Sequence, residues 1–205
     1  IKKASKPFLG ERKSLWVEDS PTVALSPSEL VDEGPATVLF SKHGWVRAQK
    51  GHDVNVESLK FKTNDSLMMS LETQNNLPVI MIGSQGRCFA YPVHKLPNGK
   101  SAGDPINSKI QLQGGESITH LLPFEEAKKV LFTTRKGLGF ISPIAAMNTK
   151  VKKGRELINL TEGDEILTPH ILTGQETEVA ILTQAGRVIV FPLNSINEYE
   201  KAKGM

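Results

Sequence analysis

Short apolar runs separated by small polar turns recur along this 205-residue chain. The clearest lies at Leu77–Leu96, L-P-V-I-M-I-G-S-Q-G-R-C-F-A-Y-P-V-H-K-L. Val79 to Ile82 predict one strand and Cys88 to Tyr91 its return. Between them Gly83-Ser84-Gln85-Gly86 predicts a tight turn, with Gly86 able to take the positive φ that closes it. Pro92 has no N–H for a ladder, so pairing should stop there. The same unit is written four times. T-V-L-F-S-K-H precedes Gly44, V-I-M-I-G-S-Q precedes Gly86, V-L-F-T-T-R-K precedes Gly137 and V-A-I-L-T-Q-A precedes Gly186. Pro92, Pro143 and Pro192 stand six residues after their glycines, and Lys50 holds that place in the first unit.

A second piece repeats between the hairpins. It reads L-K-F-K-T-N-D-S-L from Leu59, I-Q-L-Q-G-G-E-S-I from Ile110 and I-N-L-T-E-G-D-E-I from Ile158. Its alternation predicts a further half-buried strand, and each copy carries an acid, Asp65, Glu116 or Asp164. The connectors V-H-K-L, I-A-A-M and L-N-S-I each predict a single helical turn. Four strands in about 45–50 residues is the period of a propeller blade. The fold class is therefore all-β, with about four blades visible, each burying the faces that a lone hairpin leaves open.

Residues 1–35 differ from the rest: Pro7, Pro21, Pro27 and Pro35 interrupt them, and only Ser28–Val31 predicts a helical turn or edge strand. They are expected to be a linker, with the repeat domain over residues 36–205. Ile1 is not an initiator Met, and the fourth unit gives way to Lys201–Met205 where another strand pair is due. The expectation is a piece of a longer protein whose array runs on. No apolar run approaches the ~18 residues of a membrane span. The single Cys88 excludes an internal disulfide, suits a reducing cytoplasm and is expected as a buried thiol.

Catalytic signals are missing. His43, His52, His94, His120 and His170 have no metal-ligand spacing, and neither a Walker sequence nor G-x-S-x-G occurs. No catalytic residue, metal or cofactor is expected in this chain. A net charge of +3 says little, but its placement says more. Basic residues near glycines follow each hairpin: Lys50 and His52; Lys100; Lys150, Lys152, Lys153 and Arg155; Lys201 and Lys203. In a radial array such loops fall at equivalent positions and can follow a polyanion, with glycine letting phosphates approach main-chain N–H groups. Taken singly, each also reads as a soluble connector. Arg47, Arg87, Lys136 and Arg187, near the turn glycines, read either as further phosphate contacts or as solvated turn residues. Few aromatic residues accompany these loops, which favours duplex backbone contact over base stacking.

G-W-V-R-A-Q-K-G-H-D (Gly44–Asp53), G-R-C-F-A-Y-P-V-H-K-L-P (Gly86–Pro97) and T-Q-A-G-R-V-I-V-F-P-L (Thr183–Leu193) resemble the C-terminal domains of bacterial type IIA topoisomerase A subunits. F-L-G-E-R-K-S (Phe8–Ser14) is similar to the run where that family's catalytic core ends. The resemblance implies a β-pinwheel, a propeller-like array whose four-stranded blades exchange strands, with a basic rim that binds and bends duplex DNA. It implies an ATP-dependent type II topoisomerase as parent, its catalytic tyrosine and Mg2+ site in other domains and ATP on a partner B subunit of an A2B2 holoenzyme in the bacterial cytoplasm. Gyrase A subunits carry Q-R-R-G-G-K-G after the first hairpin, where this chain has A-Q-K-G-H-D at Ala48–Asp53. The topoisomerase IV A subunit, which serves decatenation and chromosome segregation, is thus the nearer likeness. A gyrase A subunit with a degraded box, or a propeller used for protein contacts, is the alternative.

Overall fold

The computed structural model describes residues 32–55, 59–98 and 101–200. These described residues lie in one compact unit. The linker expectation and the element expected at Ser28–Val31 therefore fall almost wholly outside the described residues. Asp32 and Glu33, at the linker's described end, bond to Asn75 and Asn76 of the first unit.

Each expected hairpin forms. They are β1 (Pro35–Ser41) with β2 (Trp45–Lys50), β4 (Pro78–Gly83) with β5 (Arg87–Pro92), β8 (Lys129–Thr133) with β9 (Gly139–Pro143), and β12 (Glu178–Leu182) with β13 (Val188–Pro192). The turn glycines Gly44, Gly86, Gly137 and Gly186 take φ of +77°, +82°, +87° and +75°. The β4–β5 register ends at Pro78 opposite Pro92, where the missing N–H ends the ladder. A 3-10 turn follows at Val93–Lys95, Ile144–Met147 and Leu193–Ser195, in the three connectors that predict one.

Strands β3 (Leu67–Gln74), β7 (Ile118–Pro123) and β11 (His170–Leu172) pair with β1, β4 and β8 of their own hairpins. The fourth strand of a sheet comes from the next unit. After the β4–β5 hairpin, β6 (Asp104–Pro105) pairs with β2. After the β8–β9 hairpin, β10 (Arg155–Glu156) pairs with β5. The resulting orders, β3-β1-β2-β6 and β10-β5-β4-β7, are the strand-exchanging blades of a β-pinwheel.

Period-two alternation explains why the inner hairpins are apolar on both faces. Val79 and Met81 of β4 pack with Val38, Phe40 and Val46 of the first sheet. Their neighbours Ile80 and Ile82 pack the other way, with Val130, Phe132 and Phe140 of the third. Leu131 and Ile141 continue toward Val179, Leu193 and Ile196 of the fourth unit. Cys88 lies in the second of these cores, 0% exposed. Burial pushes its thiol up to about 11, against a smaller opposing effect of the Arg155 charge. In the fourth hairpin Leu182 and Val188 are more than half exposed, although the matching positions Ile82 and Cys88 are fully buried. Among the described residues only β13 pairs with β12.

One expectation is corrected. The L-K-F-K, I-Q-L-Q and I-N-L-T pieces are not strands. Burial does alternate along Leu59 to Lys62 and Ile110 to Gln113, so the chain is extended, but it has no ladder partner there among the described residues. Its acid fastens it instead. Asp65 Oδ1 accepts N–H bonds from His43 (3.1 Å) and Ser66 (2.9 Å), and Asp164 Oδ1 accepts them from Lys136 (3.1 Å) and Glu165 (3.0 Å). Each acid thus ties an extended piece to the residue before a turn glycine. Burial works against the charge on both carboxylates. Hydrogen bonds from Ser41, His43 and Ser66, and from Lys136, Thr134 and Glu165, outweigh it and hold both below the ordinary value.

Candidate nucleic-acid interface

The exchanged segments carry the basic loops, which places those loops on the free edges of the preceding sheets. Beside β2, Ala48 N–H donates to Pro97 O at 3.0 Å, and Val46 pairs with Asp104. Residues 150–156 run along β5, where Arg155 pairs with Cys88. A glycine permits each close approach. A Cβ on Gly103 would stand 2.5 Å from Val46 O, and one on Gly154 2.7 Å from Cys88 O. Val46 and Cys88 both lie two residues beyond their turn glycines, so the two loops are equivalent. On the third sheet Glu198 bridges Ile141 in parallel, as Asn98 bridges Ala48 on the first.

Lys150, Lys152 and Lys153 are exposed on this edge. Their main chain is held from within. Lys152 O accepts Gln111 N–H at 2.8 Å, and Lys153 O accepts Arg87 Nη1 at 2.6 Å. Three ammonium groups on a fixed loop without an acid can face a phosphate backbone. Lys100, Lys201 and Lys203 lie outside the described residues. Lys50 and His52 are placed differently from the other loops. Lys50 ends β2 opposite Ala36, Gly51 N–H donates to Pro35 O at 2.8 Å, and His52 Nε2 lies 3.0 Å from Thr73 O. This first loop folds onto its own sheet, because among the described residues no earlier hairpin precedes it to receive an exchanged strand.

Two of the arginines near the turns, Arg47 and Arg87, are directed inward. Arg47 is 3% exposed; it donates to Ser101 O and lies 5.3 Å over the Phe61 ring. Burial depresses its pKa. Arg87 pairs with the Glu116 carboxylate, donates to Lys153 O and lies 5.1 Å over Phe89. Both guanidinium groups reach from a hairpin to a carbonyl of the exchanged loop, so they anchor basic loops rather than meet solvent. Arg155 donates to Ala146 O at 2.7 Å from within β10. Lys136 Nζ donates to Thr161 Oγ1 (3.0 Å) and Glu162 O (2.6 Å) of its own unit. Arg187 is exposed. Sequence reasoning missed the anchoring role of Arg47 and Arg87; the signal was the acid at Glu116, an internal partner for Arg87.

The family described as DNA gyrase C-terminal domain, beta-propeller, matches residues 128–172 and 177–204, the third and fourth units. The solved C-terminal domain of Escherichia coli ParC superposes with a TM-score of 0.79 at 30% identity, over 83% of this chain and 70% of that one. The chain belongs to the family formed by the C-terminal domains of topoisomerase IV and gyrase A subunits. Among full-length relatives, the A subunit of DNA topoisomerase 4 from Haemophilus influenzae is 32% identical over 204 residues, covering 100% of this chain and 27% of that protein. Its Escherichia coli counterpart is 29% identical over 194 residues, covering 95% and 26%. The chain thus spans about a quarter of the topoisomerase subunits it matches. The solved gyrase A C-terminal domain, at 17% identity and a TM-score of 0.58, shares the fold.

Proposed function

We propose that this chain is the non-catalytic DNA-binding and DNA-bending domain of a topoisomerase IV A subunit. The observation that carries the proposal is the exposed Lys150-Val151-Lys152-Lys153 loop, fixed on the second sheet's edge at a position equivalent to the loop on the first. Edge loops that recur from sheet to sheet offer a duplex a series of phosphate contacts, and following them requires it to curve. The parent enzyme is read as an ATP-dependent type II topoisomerase acting in the cytoplasm on linked and supercoiled DNA. The domain holds one duplex for the cleavage core, while ATP is used by the partner B subunit of an A2B2 holoenzyme and Mg2+ by other domains. The first loop, A-Q-K-G-H-D, favours topoisomerase IV over gyrase because it lacks the arginine pair and second glycine of the gyrase box.

The test is the salt dependence of duplex binding. Each neutralised phosphate contributes a slope of about −0.9 in log K against log salt. Lys150→Ala/Lys152→Ala/Lys153→Ala should weaken binding equally across sequences and flatten the slope by about 2–3 units. An unchanged slope removes this loop from the interface.

A further inference from the structure

We infer a second duplex-contact surface on the chain, at the turn end of the first sheet, formed by Lys42, Lys60 and Lys62 around Trp45. It rests on the DNA-binding reading above and adds a surface outside the edge loops. The extended piece from Leu59 lies against the β1–β2 turn. Lys42 N–H donates to Ser66 O at 2.9 Å, His43 N–H donates to Asp65 Oδ1 at 3.1 Å, and Lys62 Nζ stands 3.4 Å from the centroid of the Trp45 ring. Phe61 is half-buried under Arg47, so Lys60 and Lys62, one residue to either side, share the exposed side of the extended piece. Lys42, Lys60 and Lys62 are all exposed, and among the described residues none is ion-paired. The acids nearby are occupied. The Asp65 side chain is 1% exposed and bonded to the turn, and Asp104 is paired with Lys109 at 2.7 Å.

The turns and extended pieces of the next two sheets carry no such surplus among the described residues. On the second sheet they carry Arg87 and Glu116, bound to each other, and the exposed cations beside them, Lys152 and Lys153, belong to the edge loop. On the third, Arg135 pairs with Glu165 at 2.8 Å, Lys136 is bonded to Thr161 and Glu162, and Asp164 and Glu162 make the end acidic. The positions of Lys60 and Lys62 are taken by Gln111 and Gln113, then by Asn159 and Thr161. The lysine surface is therefore not shared by the turns and extended pieces of the next two sheets and is not a general property of the repeat.

It is also continuous with the edge. Residues 101–105 run up β2, and Ile106 N–H donates to Gly44 O of the turn at 2.8 Å. A duplex lying on the first edge loop meets Lys42 and Lys62 where that loop ends. Contacts on two adjoining faces of one blade give the path of the duplex a fixed point: it is held at the first unit. The partner is the phosphate backbone, since lysines contact it without reading sequence.

The experiment uses two probes on the whole chain. Binding is followed by anisotropy of a labelled 40-base-pair duplex across a salt series (the length is about four helical turns). In Trp16→Phe, Trp45 is the remaining tryptophan, and its emission reports displacement of Lys62 from the ring. The expected result is a Trp45 response on duplex addition, and for Lys42→Ala/Lys60→Ala/Lys62→Ala an affinity about ten-fold weaker and a slope flatter by about 2–3 units, with an unchanged melting temperature. A duplex that binds by anisotropy while Trp45 stays silent and the triple variant keeps its slope overturns this surface but leaves the edge loops standing. Absence of binding to the unmodified chain at low salt overturns both.

Discussion

Glu116→Ala gives the sharpest test of the roles assigned to the basic residues. The Glu116 side chain is 0% exposed and that of Arg87 12%. The carboxylate accepts Arg87 Nε at 3.2 Å, Arg87 Nη2, and the Gln113 N–H at 3.1 Å. Its removal leaves a largely buried guanidinium with only the carbonyls of Lys153 and Gln111 and the Phe89 face as partners, and leaves one main-chain donor open. Breaking a buried pair from one side costs about 3–5 kcal/mol. The residual exposure of Arg87 and its carbonyl bonds put this one near the lower end, about 3 kcal/mol. For a domain of this size that is a fall in melting temperature of about 6–12 °C. Calorimetry on Glu116→Ala, Arg87→Met and Arg87→Met/Glu116→Leu measures it. The double variant should recover much of the loss, because an apolar pair leaves no uncompensated charge. Arg87→Met should also leave the salt slope of duplex binding unchanged. Singles that lose under about 1 kcal/mol and add independently, with a slope that drops on removing Arg87, would refute the internal clasp and return Arg87 to the DNA surface.

Gly154→Ala should destabilise by about 3 kcal/mol, because its Cβ would meet Cys88 O at 2.7 Å and Phe89 Cε1 at 2.6 Å at a φ of +72°. Gly186→Ala, at a similar φ with open space around it, should cost about 1 kcal/mol, and urea midpoints compare the two. The depressed carboxylates Asp65 and Asp164 contribute stability that is full above the unfolded value near 4 and is lost as pH falls through their lower folded values. Asp65→Asn should therefore be less stable than the parent at pH 7, with the difference narrowing under acid titration followed by circular dichroism. Cys88, with its thiol raised to about 11, should resist a disulfide reagent at pH 8 in the folded chain and react on unfolding; rapid native labelling would contradict its burial.

The hairpins were legible in the sequence because their information is local. A β-branched run, a glycine at the turn and a proline at the exit specify strand, reversal and stop whatever surrounds them; all four hairpins have the turn glycine at positive φ, and three have the exit proline. The continuous apolar run at Val79–Ile82 likewise announced a strand buried on both faces. The chain's alternation at Leu59–Lys62 announced an extended segment, but extension and pairing are different things, and only the fold shows that an aspartate replaces the ladder there. Strand exchange was also beyond local reading. Asp104-Pro105 and Arg155-Glu156 are two-residue strands with no periodicity to detect, fixed by the sheet edges they meet.

The same division holds for the candidate interface. Sequence located the glycine-lysine loops, since charge and turn composition are written residue by residue. It did not separate lysines from arginines by role. Arg47 and Arg87 are drawn inward because a guanidinium can satisfy several distant carbonyl and carboxylate oxygens at once, and those oxygens come from residues 24 to 66 positions away. Lys150, Lys152 and Lys153 stay outside because their loop's carbonyls already face the sheet. Residue identity determined which charges exist. Contacts between units distant in sequence decided which of them are left for a partner.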